Sequence, residues 1–209
     1  DINRMSEAIL SLDIPSGLNA DTGAVMGVAV KADACITFIG MKQGLMTAEG
    51  PALCGELSFS DLVVPEDIYE QVTTSARRVS VDELKTFLPR RERSTHKGQC
   101  GHVLVIGGDY GFAGAVRMAA EAAMRVGAGL VTVATRPEHA LNIPLARPEL
   151  MTRAVTSAED LHPLLSRANV IVIGPGLGQS EWASSLIAKT LQTKLPLIID
   201  ADALNLLSL

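Results

Sequence analysis

Four places in this 209-residue sequence end an apolar run with residues suited to chemistry. Ligands of parallel α/β sheets bind beyond the carboxyl ends of the strands, so the residues just past each run are the informative ones. In Leu12-Asp-Ile-Pro-Ser-Gly17 a carboxylate leaves the strand and a hydroxyl comes three residues later. Asp13 suits acid/base work or a sugar hydroxyl, and it equally suits capping its own turn, with Pro15 and Gly17 shaping the loop. Gly107-Gly-Asp-Tyr-Gly-Phe-Ala-Gly-Ala115 lies after a strand and opens a helix. Gly107 and Gly108 there let a ligand approach the backbone, and the helix N-terminus favours an anion, so a phosphate- or nucleotide-facing loop is expected over a purely structural one. The run is neither GxGxxG, since its third and sixth positions are Asp109 and Phe112, nor a P-loop, which needs a lysine. Lys97 brings a cation expected near this mouth, with a solvated linker lysine as the other reading.

Ile173-Gly-Pro-Gly-Leu-Gly178 is again strand, glycines, helix. It fits a tight ligand-facing turn or close packing of helix on strand. In Ile199-Asp-Ala-Asp-Ala-Leu-Asn205, Asp200 and Asp202 would point the same way if the strand continued, and Asn205 lies one turn further if a helix starts. Metal, substrate-hydroxyl and N-cap roles stay open, with one of the two carboxylates expected to cap the helix. His139 and His162 have no partners at ligand spacing and read as surface residues; Met118, Met124 and Met151 read as core filler.

The elements that must position these residues differ between the two parts of the chain. The first part holds short strands over 8–14, 34–39 and 57–64, separated by Gly-, Asn- and Asp-rich loops. Residues 66–80 are polar and poorly periodic and read as a linker. Ser80-Val-Asp-Glu83 then fits a capping box, Leu84, Phe87 and Leu88 come next at helical spacing, and Pro89 is expected to end that helix. From residue 100 strands at 103–106, 130–134, 170–173 and 195–199 alternate with helices at 113–126, 137–141, 158–167 and 180–192. These are βαβ crossovers in a mostly parallel sheet, and the uniformly apolar strands fit a sheet covered on both faces.

A net charge of −5, from 18 basic and 23 acidic residues, gives no positive field for nucleic acid or an anionic membrane. With 47% hydrophobic and 20% charged residues the chain is globular, and 3% aromatics with 18 glycines suit an α/β enzyme with close backbone packing. Cys35, Cys54 and Cys100 form no CxxC pair, which suggests neither a disulfide framework nor a zinc site and favours a reducing cytoplasm. No apolar run reaches the ~18 residues of a membrane span. The sequence opens on Asp1 without an initiator Met and stops just after a strand-to-helix turn, so both ends are expected to be truncations of a longer protein.

The runs LDIPSGLNADTG, ITFIGMKQGL, HKGQCGHVLVIGGDYGFAGAVRMAAEAAMRVGAGLVTVAT, ARPELM, VIGPGLG and IIDADALN, in this order across essentially the whole chain, closely resemble the bifunctional NAD(P)H-hydrate repair enzymes of bacteria. The resemblance implies the C-terminal part of a Rossmann-like NAD(P)HX epimerase domain over 1–65, a linker over 66–80, and the N-terminal part of a ribokinase-like α/β dehydratase domain over 81–209. It implies interconversion of the R and S forms of hydrated NADH and NADPH (NADHX and NADPHX), then ADP-dependent dehydration of the S form. Asp13 matches the family's substrate-contacting acid/base carboxylate and Ser16 a potassium ligand. Ala115 and Gly178 match positions lining the hydrated nicotinamide, with Asp200, Asp202 and Asn205 as weaker neighbours. Mg2+ and ADP belong to the dehydratase half and K+ to the epimerase half. The potassium-site asparagine and catalytic lysine of the first domain, and the nucleotide glycines and catalytic aspartate of the second, match nothing in the chain, so the piece alone is expected to be inactive. A homo-oligomer is expected on general grounds. A ribokinase-type small-molecule kinase and a non-catalytic scaffold are the competing readings, the latter opposed by the presence of Asp13 and Ser16.

Overall fold

The computed structural model describes residues 2–4, 7–88 and 90–208. The chain forms two compact units, residues 1–89 and 90–209. No helix among the described residues is long and apolar enough to cross a membrane.

In the first unit β1 (Leu10–Leu12), β2 (Ala34–Phe38) and β3 (Glu56–Ser60) form a parallel sheet in that order. Leu12 pairs with Ile36 and Ile36 with Ser58, so the three strands finish at one rim. Each is shorter than its apolar run because the backbone turns left-handed just beyond it: φ is 68° at Asp13, 63° at Ile39, and 51° and 58° at Leu62 and Val63. The expected extension of β3 to Val64 is therefore corrected. Asp61 accepts from the Val63 N–H at 3.0 Å, making a turn of a segment that hydrophobicity alone reads as strand. Among its described residues the unit has three short α-helices, α1 (Gly50–Leu53), α2 (Glu66–Glu70) and α3 (Val81–Phe87). α2 forms within the stretch read as linker, and the hydroxyl of Tyr69 just before its end donates to the Ile39 carbonyl at 2.8 Å. α3 starts at the anticipated box, Ser80 Oγ accepting from the Glu83 N–H while Glu83 accepts from the Ser80 N–H. Its expected stop at Pro89 lies outside the described residues. Leu18, Cys35, Leu45 and Cys54 make the small core.

The second unit is a five-stranded parallel sheet. In chain order its elements are β4 (His102–Ile106), α4 (Ala113–Arg125), β5 (Leu130–Thr135), α5 (Pro137–Ala140), α6 (Ile143–Ala146), β6 (Met151–Ala154), α7 (His162–Leu165), β7 (Val170–Ile173), α8 (Glu181–Leu191), β8 (Leu197–Ile199) and α9 (Asp202–Leu207). The strand order is β6-β5-β4-β7-β8. The chain winds outward from β4 through β5 to β6, then crosses back to place β7 on the other side of β4. This reversal makes the carboxyl ends of β4 and β7 the topological switch point, where open α/β sheets hold their ligands. Side chains alternate across the sheet: Val105, Val131 and Val133 pack with Val116 and Ala120 of α4, whereas Leu104, Ile106, Ile171 and Ile173 pack with Trp182, Ala183 and Leu186 of α8.

Several features of the second unit differ from expectation. β6 has no apolar run to announce it, because as an edge strand it keeps Arg153 and Ala154 exposed. The single helix expected over 158–167 breaks into a 3-10 turn, Ala158–Leu161, and α7, since Pro163 has no N–H to continue the ladder. Met118 is 68% exposed on α4 rather than core filler, whereas Met124 does pack against the core.

Trp182, the single tryptophan, is buried on α8, so its fluorescence follows unfolding of the second unit. Leu104→Ala should destabilise that transition by about 2–5 kcal/mol in urea titrations. Ser80→Ala, which removes a cap in the first unit, should leave the same transition within about 0.5 kcal/mol of wild type.

Candidate functional site

In the first unit, β1 ends by delivering Asp13 to the rim. Its N–H donates to the Ile36 carbonyl at 2.7 Å, which fixes the backbone as the chain turns away. Three donors then converge on one carboxylate oxygen: Oδ1 accepts from Lys42 Nζ, from the Phe38 N–H at 3.1 Å and from Thr37 Oγ1 at 3.2 Å. Lys42 is itself oriented by donating to the Phe38 carbonyl at 2.8 Å. Oδ2 receives no donor among the described residues. The Lys42 hydrogen bond holds the Asp13 carboxyl below the usual carboxylate range; partial burial opposes this, and the Phe38 N–H, the Lys42 charge and Thr37 reinforce it. The carboxylate is 44% exposed and borders a cavity of about 410 Å³ formed with residues 38–42. An ionised carboxylate with one anchored oxygen and one free oxygen can take and return a proton without losing its aim. Ser16 sits exposed on the adjoining loop, its carbonyl accepting from the Val30 N–H at 2.9 Å.

In the second unit the structure gathers the glycine loop after β4, the Gly174–Gly178 turn after β7 and the start of α9 after β8. A side chain on Gly176 would meet the Phe112 carbonyl at 2.7 Å and Ala115 Cβ at 3.1 Å, so Ala115 and this turn form adjoining walls. Asp202 accepts from the Gly178 N–H at 2.8 Å and ties α9 to the same turn. Asp109, one residue past Gly108, is buried behind it. Its Oδ1 accepts from Arg136 Nε at 2.7 Å and the Tyr110 N–H at 2.9 Å, and its Oδ2 accepts from Ser180 Oγ at 2.9 Å. Burial raises the Asp109 pKa, but the Arg136, Tyr110 and Ser180 hydrogen bonds outweigh it and hold the carboxyl below its ordinary value.

Several expectations are corrected here. Gly107 and Gly108 do not offer free donors to a phosphate: their N–H groups donate to the Ala134 and Pro175 carbonyls, and both residues are buried. Lys97 is not at the mouth. It opens a 3-10 turn leading into β4, and its carbonyl lies against Gly129 just before β5, at the amino end of the sheet. That is the far end of a five-residue strand, roughly 17 Å away. Neither Asp200 nor Asp202 caps α9; the N-cap position is Ala201, with φ 44°, because Asp202 is engaged by Gly178 instead. Asp200 is exposed, and Asn205 is exposed on α9 with its side chain outside the hydrogen bonds that join the turns. His139 is half-buried with Nδ1 3.0 Å from the Gly108 carbonyl, so it braces the glycine loop; His162 is exposed as anticipated. Lys42, Thr37, Arg136 and Ser180 escape a reading of the sequence because their partners are 24 to 71 residues distant in the chain.

The NAD(P)H-hydrate dehydratase family matches residues 103–209, and the YjeF-related protein N-terminus family matches residues 1–44. The chain is 56% identical over 207 residues to the bifunctional NAD(P)H-hydrate repair enzyme of Coxiella burnetii, covering 99% of this chain and 42% of that protein. It is 45% identical over 201 residues to the enzyme of the same name from Escherichia coli, covering 96% and 39%. The chain thus spans about two-fifths of the length of these curated relatives. Among solved structures, a ribokinase-like superfamily protein from Enterococcus faecalis superposes with a TM-score of 0.56 at 34% identity, over 62% of this chain and 47% of that one. An ADP/ATP-dependent NAD(P)H-hydrate dehydratase from Bacillus subtilis, co-crystallised with ATP and Mg2+, superposes at 0.50 and 28% identity, over 59% and 45%. With more than half its residues matched, including both glycine turns, this chain belongs to the NAD(P)H-hydrate dehydratase family.

Proposed function

We propose that the protein containing this chain repairs hydrated nicotinamide cofactors in the cytoplasm, interconverting the R and S forms of NADHX and NADPHX and dehydrating the S form at the expense of ADP. Residues 1–65 then belong to an epimerase domain, 66–80 to a linker and 81–209 to a dehydratase domain, although the linker and α3 belong to the first compact unit, which runs to residue 89. The observation that most supports the second activity is the meeting of Ala115 with the Gly174–Gly178 turn at the switch point of a parallel sheet. These adjoining walls would hold the hydrated ring, whose hydroxyl oxygen takes the terminal phosphoryl group of ADP as AMP leaves; phosphate then departs while the adjacent ring carbon gives up a proton and the ring double bond is restored. The observation that supports the first activity is the Asp13–Lys42 pair. Asp13, kept ionised, takes a proton from the substrate and returns it, and Lys42 fixes the oxygen that is not reacting.

The ions implied by the family fit these residues unequally. Ser16 offers one exposed hydroxyl oxygen of the kind a potassium ion accepts, and bound potassium would fix the loop beyond Asp13. For magnesium, Asp202 is engaged by Gly178 and Asp200 is exposed; the described residues contain no cluster of three or more His, Cys, Asp or Glu able to hold a metal. A ribokinase-type kinase uses the same switch point, but relatives at 56% and 45% identity are named as repair enzymes, which disfavours it.

The test is to incubate the full-length protein with mixed epimers of hydrated NADH, ADP and magnesium and monitor the return of reduced-nicotinamide absorbance. Complete ADP-dependent recovery of ordinary NADH with release of phosphate is expected; a stable phosphoester product would establish a kinase instead. Asp13→Asn should slow epimerisation by about 10²- to 10⁴-fold. Recovery would then stop once the S form is consumed, while the rate on purified S form stays at wild type. Lys42→Met removes the donor that lowers the Asp13 pKa, so the carboxyl moves back up toward its ordinary value. The acid limb of the epimerase pH–rate profile should accordingly move to higher pH, and an unmoved limb would remove Asp13 as the base.

A further inference from the structure

We propose that Asp109 and Arg136 form a positioning pair that sets the separation of the two walls of the switch-point cleft and thereby the affinity for the hydrated ring; this rests on the dehydratase reading above. The pair is buried, with side-chain exposures of 12% for Asp109 and 15% for Arg136. Each partner reaches several elements at once. Asp109 belongs to the loop after β4, accepts from Ser180 at the start of α8, and its own N–H donates to the Gly176 carbonyl at 2.7 Å. A Cβ on Gly178 would lie 2.9 Å from Asp109 Oδ2, so the carboxylate backs directly onto the residue matched to substrate contact.

Arg136 comes just after β5, and its guanidinium carbon lies 4.6 Å from the centre of the Tyr110 ring and 4.0 Å from that of Trp182. The indole is in turn fixed by donating to the Val155 carbonyl at 3.0 Å, just past β6. One planar cation therefore locks the glycine loop, the end of β5 and the first turn of α8 together.

Stability alone does not account for such a pair. Buried ion pairs are commonly no more stabilising than apolar residues of similar volume, because desolvation offsets the attraction. What they supply is geometry: the planar Arg136 accepts one stacked orientation, and the carboxylate one set of donors. Asp109 and Arg136 act on the cleft through the glycine turns and the start of α8 that they hold, so loosening them weakens ground-state and transition-state binding alike. That signature is a raised KM with kcat retained.

The experiment uses the full-length protein and purified S-form hydrated NADH, with Asp109→Asn and Arg136→Lys as variants. Asp109→Asn keeps the shape but removes the charge, and should raise KM for the hydrate by about 10- to 100-fold while kcat stays within about threefold. Arg136→Lys keeps the charge but loses the stacked plane and should give a smaller rise in KM. Epimerase activity in the same samples should be unchanged. If Asp109→Asn loses the Trp182 unfolding transition, Arg136→Lys carries the test alone. An unchanged KM in a folded variant, with only the unfolding midpoint lowered, would overturn the proposal and leave the pair merely structural. Failure of the wild-type protein to dehydrate the hydrate at all would instead overturn the dehydratase reading, so the two failures are distinguishable.

Discussion

Two turns from different strands can share one crevice only if nothing protrudes where they touch. A Cβ on Gly107 would collide with the Pro175 carbonyl, and one on Gly174, where φ is 128°, with the Asp200 carbonyl. The glycines after β4 and β7 are thus needed first by the protein itself. Their absence of side chains lets the loop after β4, the turn after β7 and the turn after β8 nest at the switch point. Everything else at this end of the second unit depends on that close approach. It lets the Gly108 and Asp109 N–H groups pair across to Pro175 and Gly176, it presses Ala115 against the second turn, and it brings Asp109 within reach of Ser180.

The same constraint explains how much is legible in the sequence. β4, β5 and β7, the long helices α4 and α8, and the identity of the loops that meet can be read from apolar runs and glycine positions, because local sequence encodes both. The role of the glycines cannot be read the same way. A glycine that admits a ligand and a glycine that admits a neighbouring carbonyl look identical in sequence, and only the partners of Gly107 and Gly108 separate them. Lys97 misleads for a related reason: adjacency to the glycine loop in the chain is not adjacency in space when a whole strand intervenes. The N-cap of α9 escapes local reasoning because Asp202, a good capping type, finds a distant N–H on Gly178 before a local one.

Two carboxylates show how one chemistry serves two ends. Asp13 and Asp109 are both paired with a cation and both held below the usual carboxylate range. They differ in what remains. Asp13 has all its donors on Oδ1 and is substantially exposed, so it retains an oxygen for work. Asp109 is buried with both oxygens engaged, so it has nothing to offer a substrate and much to offer a neighbouring turn. Neither fate is visible in the residue type; each is set by how many donors the fold brings to the carboxylate.

The same comparison fixes the pH behaviour of the Asp109 contact. A carboxyl whose pKa is lower in the folded than in the unfolded chain contributes stability that is fully present above the unfolded value and is lost as pH falls through the folded one. For Asp109 that window lies at and below ordinary carboxylate titration, well away from neutrality. The contact behind Gly178 is therefore closed across the whole neutral range, a fixed spacer rather than a switch. Two aromatic rings holding one guanidinium would be a poor design for a part meant to move, and a sound one for a part that must hold two flexible glycine turns at a constant distance.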